Sequence, residues 1–385
     1  MFLALLIARF IIIDGIEDIE FLKEFCDDYE EFYELTQTVR IKQTLADIDV
    51  TLGQIGTFLN LIKNKKCSIL VGLGAQKYSD GADVLRAIDA IGALLGLFGK
   101  EGSGVSFLSN SMNGIKSPFA TIKKETPKAT CNFENYNLVF IQGANPLGSM
   151  PNSSKVKSSL EKSEFVIYFG LYENETSKLA NLVIPAKTFL GKNDIRFSYG
   201  SNEAFLMPKV RDEDFGISEY EFSSFLAKEL SLELKNEDEY IEYFKSFTTT
   251  CSDSLVVKNR AKIPYEDDIE FEFLDEIDSE LNLDEKLFLL TSKSKKSLNT
   301  QFQIDEFAYI NSSHNIKDMS LIKVISSVGE SILHVKIDEN LRDDCILIYA
   351  GNPKVNYLTP SKLSYDGKNA VFQELKVDVS IDVTH

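Results

Sequence analysis

The sequence predicts an α/β fold, a doubly wound and mostly parallel sheet, followed by a β-barrel-like domain. The first observation is a rhythm of short apolar runs that each stop at Gly or Pro, at residues 138–141, 165–169 and 182–184. β-branched and aromatic runs of this length are typical of buried strands. Between the first two, Val156 and Leu160 stand at helical spacing, and alternating strands and helices indicate a parallel sheet. The second observation is a change, from about residue 286, to short strands separated by turns.

The length of the chain limits its possible domain organisation, and its net charge limits its possible partners. The chain has 385 residues, which is too long for one average domain. We expect an α/β portion at 1–232, an acidic connector or insertion at 233–285, and a β-rich domain at 286–385. The formal net charge of −18 repels phosphate backbones, so we expect no nucleic-acid partner.

The cysteines argue against a local metal site, and the N-terminal segment argues against a membrane span. The five cysteines are scattered and none forms C-x-x-C, so a zinc ribbon or a locally ligated iron–sulfur cluster is not supported. Scattered thiols favour a reducing compartment, here the cytoplasm. The apolar run at 1–13 lacks a basic start and contains Arg9, and it is shorter than the ~20 residues that span a bilayer. It predicts a buried helix, with no direct membrane insertion.

Two glycine-containing loops follow predicted strands. The loop Gly143-x-Asn145-Pro146 lies at the carboxyl end of its strand, where parallel sheets bind ligands. We therefore look for the chemistry of this chain at that loop, although Asn-Pro is also typical of a plain turn. Gly72-x-Gly74 has no third Gly at Lys77, so a Rossmann NAD site is poorly supported. For the glycines between Gly72 and Gly104, two interpretations remain open: a helix C-cap with a tight turn, or ligand contact.

Taken together, these motifs resemble the molybdopterin oxidoreductase superfamily of formate dehydrogenases, nitrate reductases and dimethyl-sulfoxide reductases. The resemblance runs along nearly the whole chain and depends on the order of the segments. They are the N-terminal run, Gly72-x-Gly74-x-Gln76, Gly143-x-Asn145-Pro146, Glu175-Thr176, Val183-Ile184-Pro185-Ala186, Asn299-Thr300 and Val355-Asn356 to Thr359.

The resemblance implies a bound molybdopterin guanine dinucleotide. The cofactor-binding residues that it implies are Gly72, Gly74, Gln76, Gly143, Asn145, Pro146, Glu175, Thr176, Thr300 and Asn356. It assigns no catalytic residue and no metal ligand here, because family members carry the iron–sulfur cluster and the metal-ligating residue before these segments. We therefore expect this chain not to run the redox reaction alone. Its partners would be a missing N-terminal half or the partner subunits of a redox complex.

A structural role is the alternative. The large electron-entry subunit of bacterial NADH–quinone oxidoreductase keeps this fold without a working molybdenum site. Three departures from the family pattern suit that reading: Asn181 in place of Asp, Gly191 in place of an acidic residue, and 317–320 in place of a Gly-containing turn. The sequence does not predict the substrate.

Overall fold

The computed structural model describes residues 1–27, 29–108, 112, 114–119, 125–198, 200–251, 254–258, 273, 276, 286–298 and 301–381. The chain divides into two compact units. The first comprises Met1–Leu108, Ala261–Glu285 and Leu363–Val371, and the second comprises Ser109–Arg260, Lys286–Lys362 and Phe372–His385. Parallel sheets and a closed six-stranded barrel confirm the predicted fold class. The domain boundaries read from the sequence stay a prediction.

The first unit is a helical cluster beside a two-stranded parallel sheet. Its helices are α1 (Phe2–Ile13), α2 (Ile19–Phe25), α3 (Tyr29–Thr38), α4 (Ile41–Asp47), α5 (Leu52–Ile62) and α6 (Gly81–Leu94). Its strands are β1 (Ser68–Val71) and β2 (Gly104–Phe107), which pair in parallel. The predicted buried helix at the N-terminus is confirmed, because Leu5, Leu6 and Ile11 of α1 are fully buried. No described helix is long and apolar enough to cross a membrane.

The sequence pattern predicts a helix over 18–35 and another over 45–62, and the structure interrupts both. The first stops at Cys26, whose backbone is extended, before α3 begins. The second stops at Asp49, which has a left-handed backbone with φ of 53°. Thr51 then starts α5 with a capping box, in which its side chain and that of Gln54 bond each other's backbone N–H. Capping and backbone conformation therefore override apolar spacing at both places.

The end of α6 settles one of the open readings for the glycines. Gly96 has φ of +56°, its N–H donates to the Ala93 carbonyl at 2.9 Å, and the Leu97 N–H donates to the Gly92 carbonyl at 2.9 Å. This pair of bonds is a Schellman motif, so Gly96 is a helix C-cap glycine. A Cβ at Gly96 would lie 2.4 Å from Oδ2 of Asp18, which also accepts a bond from Lys100 Nζ at 2.7 Å.

The second unit begins with the parallel sheet that the apolar runs predict. Strands β3 (Leu138–Gln142), β4 (Phe165–Gly170) and β5 (Leu182–Pro185) pair in that order, all in parallel. Helices α7 (Pro146–Ser149) and α8 (Ser153–Lys162) connect β3 to β4. Val156 and Leu160 of α8 pack with Val139 and Val166 on one face of the sheet. The loop after β3 therefore lies at the carboxyl end of the sheet, as predicted.

An antiparallel sheet and two helices follow in the second unit. The sheet has the order β6 (Asp194–Phe197), β7 (Glu203–Met207), β9 (Ser254–Val257) and β8 (Thr248–Cys251). The helices are α9 (Glu219–Glu229) and α10 (Glu237–Lys245), and each starts with a capping box. The structure describes the beginning of the predicted acidic connector, and most of 259–285 lies outside the described residues.

The barrel completes the second unit. Its strand order is β10 (Leu287–Leu290), β16 (Cys345–Ile348), β13 (Ala308–Ile310), β15 (Glu330–Ile337), β14 (Leu321–Ile325) and β17 (Lys376–Ile381), which closes on β10. A small hairpin, β11 (Ser297–Leu298) and β12 (Gln301–Phe302), lies between β10 and β13. Alternate residues of β15 are buried, so the barrel interior is a packed apolar core.

Replacing Gly96 should destabilise the first unit. Gly96→Ala forces a side chain into a left-handed backbone and against Asp18, so we expect a loss of about 2 kcal/mol or more in the free energy of unfolding. Gly53→Ala is the control, because Gly53 lies within α5 and its Cβ would have only one neighbour, at 3.9 Å. Urea denaturation should show the control as stable as the parent or more so. Equal losses in both variants would contradict the Schellman assignment.

Asp89 of α6 should make stability depend on pH. Burial raises the pKa of Asp89 to about 6. Between its ordinary value and that pKa the folded state holds a proton that the unfolded state has lost, so stability falls as pH rises through this window. Asp89→Asn should therefore exceed the parent in melting temperature at pH ~7.5, with the difference shrinking by pH ~4.5. Glu101→Gln, at an exposed turn, should match the parent throughout. A pH-independent gain would rule out burial of the Asp89 carboxylate as its cause.

Candidate functional site

The loop that follows β3 is held by a buried asparagine at the start of α7. Asn145 is the N-cap of this short helix, and its Oδ1 accepts from the Gly148 N–H at 3.3 Å. Pro146 follows at the first helical position, where a missing N–H costs nothing. The Asn145 backbone carbonyl also accepts from the Ser149 hydroxyl at 2.7 Å. Asn-Pro therefore forms a capped turn here, as the plain-turn reading expects.

The Asn145 side chain also reaches the segment that connects β4 to β5. Its Nδ2 donates to Glu175 Oε2 at 3.0 Å, and its Oδ1 accepts from the Thr176 hydroxyl at 2.7 Å. The same hydroxyl accepts from the Leu147 N–H at 3.0 Å. Thr176 is fully buried, whereas Glu175 is exposed. Both polar ends of the Asn145 amide are thus bonded within the protein.

A turn of the barrel joins the same arrangement from the C-terminal part of the chain. Asn356 Nδ2 donates to the Gly148 carbonyl at 3.0 Å, and Asn356 Oδ1 accepts from the Thr359 hydroxyl at 3.0 Å. The Thr359 carbonyl in turn accepts from the Asn152 N–H at 2.8 Å. We call Asn145, Leu147, Gly148, Glu175, Thr176, Asn356 and Thr359 the Asn145 network. Sequence reasoning missed the role of Thr359, although it lies in the Val355 to Thr359 motif.

Gly143 precedes the network and is open to solvent. It is exposed and has φ of +56°, and a Cβ built on it would meet no atom within 4 Å. Its N–H donates to the Phe169 carbonyl at 2.9 Å, which extends the ladder between β3 and β4. The next N–H, that of Ala144, donates to none of the described residues. Gly143 is thus a position that requires a left-handed backbone and leaves space above it.

The remaining predicted site residues belong to the first unit or lie outside the described residues. Gly72 and Gly74 are exposed in the first unit, in the turn that follows β1. Gln76 ends that turn, and a Cβ at Gly81 would lie 2.4 Å from its carbonyl oxygen. Thr300 lies outside the described residues. The structure thus brings together Asn145, Pro146, Glu175, Thr176 and Asn356, with Gly143 at the start of their loop.

Two of the departures from the family pattern have structural explanations. Asn181 Oδ1 accepts from the Val166 N–H at 2.7 Å, a contact that an Asp carboxylate would also make. At Gly191, a Cβ would lie 2.6 Å from Oε2 of Glu213, whose side chain is only 1% exposed. The bond from the Thr188 hydroxyl is the main reason that the pKa of Glu213 is lowered, with Arg211 also contributing. Glu213 therefore supplies a carboxylate beside Gly191.

Comparison with known proteins first identifies the class of fold. The structure superposes on acetylene hydratase from Pelobacter acetylenicus with a TM-score of 0.73 over 98% of this chain and 70% of that one, at 14% sequence identity. This likeness shows the fold alone.

Within the described part of the chain, no group of three His, Cys, Asp or Glu residues could hold a metal ion.

The sequence comparisons find similarity to molybdopterin oxidoreductases. Residues 37–201, less than half of the chain, match the model of the molybdopterin oxidoreductase family. It is 24% identical to "Probable oxidoreductase YyaE" of Bacillus subtilis, over 51% of this chain and 32% of that protein. It is also 24% identical to the F420-dependent formate dehydrogenase subunit alpha of Methanocaldococcus jannaschii, over 48% and 32%. The chain therefore spans about a third of the length of these curated relatives.

Removing the Thr176 hydroxyl should destabilise the second unit. Thr176→Val keeps the shape but leaves the Leu147 N–H and one Asn145 acceptor site without the partner, each at a cost of about 1–3 kcal/mol when buried. Chemical denaturation should therefore show a loss of roughly 2–4 kcal/mol. Thr176→Ser keeps the hydroxyl and is the matched control, with a markedly smaller loss. Equal losses for Val and Ser would mean that the hydroxyl bonds contribute nothing.

Proposed function

We propose that this chain is the C-terminal portion of a molybdopterin-dependent oxidoreductase and helps to bind a molybdopterin guanine dinucleotide. The match of residues 37–201 to the molybdopterin oxidoreductase family carries this proposal. When bound, the molybdenum of that cofactor supplies two-electron redox chemistry, and the residues of this chain would hold the dinucleotide. Because the chain spans about a third of its curated relatives, it would act with a polypeptide that supplies the metal ligand. That polypeptide is an N-terminal half or a partner subunit of a redox complex.

The donor groups of the site decide how such a ligand could be held. The side chains of Asn145, Thr176 and Asn356 bond within the Asn145 network, so they shape the loop instead of pointing to a ligand. Gly143, the Ala144 N–H and the Glu175 carboxylate remain for direct contact. A carboxylate repels a diphosphate but accepts hydrogen bonds from the N–H groups of guanine. These residues therefore fit the guanine end of the dinucleotide better than its diphosphate.

A structural subunit is the second candidate, and the Asn145 network favours it. The network is complete among the chain's own residues, so its side chains stabilise the fold whether or not a cofactor is bound. A subunit of the NADH–quinone oxidoreductase kind, which keeps the fold without molybdenum, would need nothing more from them. In that case the chain would contribute an interface to a redox complex and no cofactor contact.

We also propose a cytoplasmic location for either form. All five cysteines are free thiols, and Cys251 is exposed. Exposed thiols persist in reducing compartments, whereas oxidising ones favour disulfides. Fractionation of the native cells with an antibody against the chain checks this location, and recovery from an exported fraction would overturn it.

A substitution at Gly143 separates the two candidates. If a guanine dinucleotide lies over the loop, Gly143→Asn should place a side chain in its way while tolerating the left-handed backbone. We expect protein purified from a molybdenum-replete host to retain the cofactor and the variant to lose most of it. Oxidised-pterin fluorescence and GMP released by acid hydrolysis measure retention, and melting temperature is measured on the same samples.

Gly15→Asn is the matched control, because Gly15 has φ of +60° and the same open space in the first unit. The control should retain cofactor at the parent level, with a similar small change in melting temperature. Unchanged retention in Gly143→Asn would rule out this loop as the binding site. A parent without pterin or GMP, even when its redox complex is assembled, would instead support the structural candidate.

A further inference from the structure

The sheet β3–β4–β5 has one covered face and one face that is largely open. Residues in register across parallel strands lie on the same face. Val139 with Val166, and Ile141 with Tyr168, form the face that packs on α8. The opposite face carries four apolar side chains that remain exposed by 39% to 58%, and we call them the outer face: Leu138, Phe140, Phe165 and Leu182.

The outer face already accepts one helix at its carboxyl end. The Phe222 ring of α9 stacks on Phe140 with 5.2 Å between centroids and an interplanar angle of 4°, and it lies 5.4 Å from Phe169. Phe169 is consequently buried. Nearer the amino ends of the strands and on β5, Leu138, Phe165 and Leu182 remain 42% to 58% exposed. Parallel sheets normally have both faces covered by helices.

We propose that the outer face binds one amphipathic helix of another polypeptide, with basic residues flanking its apolar side. Three strands about 4.8 Å apart span roughly 10 Å, which is the width of one helix. Two exposed apolar residues of α9, Phe225 and Leu226, follow Phe222 along the helix. They would form one side of the surface that binds the partner helix. The geometry therefore favours a helix lying beside α9.

Charge decides the kind of helix. Glu164 is exposed next to Phe165, and Glu229 is exposed one turn beyond Phe225 and Leu226. Neither forms an ion pair with a described residue, whereas Lys162 nearby is paired with Glu134 at 3.1 Å. The whole chain carries a net charge of −18, so a second copy would be repelled. A basic rim on the partner offsets this charge, which makes a different polypeptide the occupant.

The probe is a labelled peptide of about 18 residues, long enough for a helix, made of Leu and Lys with the leucines on one side. A second peptide has the same composition with the leucines scattered around the helix, and a third has Glu in place of Lys. Fluorescence anisotropy with the full chain at physiological salt measures binding. We expect saturable binding of the first peptide, about tenfold weaker binding of the second, and none of the third.

Two variants locate the binding. Leu138→Gln with Leu182→Gln removes two apolar side chains of the outer face, and we expect affinity for the Leu/Lys peptide to fall roughly tenfold. Val183→Gln is the matched control, because Val183 is adjacent to Leu182 and 47% exposed but lies on the opposite face. The control should bind as the parent does. Melting temperatures of all variants should match, since each position is exposed.

Four results would overturn the proposal. They are the absence of saturable binding, an equal effect of the control, equal binding of the Leu/Glu peptide, and self-association that the double variant abolishes. Sedimentation of parent and double variant over a range of concentrations measures the last, which would assign the outer face to a second copy. None of these outcomes depends on cofactor retention, so this test is separate from that of the proposed function.

Discussion

The side-chain amide of Asn145 is the group on which the candidate site depends. It lies between α7 and the β4–β5 connection, and it bonds Gly148, Glu175 and Thr176 at once. Leaving a buried amide without a partner costs free energy, so separating any one of these segments from the others is unfavourable. Through Gly148 the constraint extends to Asn356 of the barrel, 208 positions along the chain. The loop after β3 and the barrel turn are therefore parts of one polar arrangement.

This arrangement changes what the family motifs mean physically. Asn145, Thr176 and Asn356 stand where the resemblance implies cofactor ligands, yet their side chains hold the protein to itself. A motif of this kind preserves the conformation of a loop. In that conformation the backbone of the loop and the Glu175 carboxylate are available to a ligand. Ligand contact at Gly143 would depend on that shape even though Gly143 makes no side-chain contact. The motif side chains thus act on the site indirectly, by fixing the backbone of the loop.

Local patterns of the sequence predicted the helices and strands, whereas the connections within the candidate site depend on long-range contacts. The strands β3 to β5, helix α8 and the buried α1 follow from apolar spacing and from Gly and Pro, which act within a few residues. The breaks at Cys26 and Asp49 depend on caps that apolar spacing does not show. The bonds from Asn356 to Gly148, and from the Asn152 N–H to the Thr359 carbonyl, could not be predicted, because no periodicity connects the barrel turn to α7 and the start of α8. Sequence reasoning named most residues of the network without its connections.

The same limit explains the departures from the family pattern. Met319 adopts φ of +63° in the altered barrel turn, so a residue other than Gly keeps a left-handed backbone there. Glu213 lies beside Gly191, held by Thr188 and Arg211, in space that a side chain at Gly191 would need. Glu213 therefore places a carboxylate beside position 191, where the resemblance leads us to expect an acidic side chain. Gly191 alone suggests that the pocket has degenerated, but Gly191 and Glu213 form a pair. A side chain at Gly191 would clash with Glu213, and replacing Glu213 would remove the carboxylate.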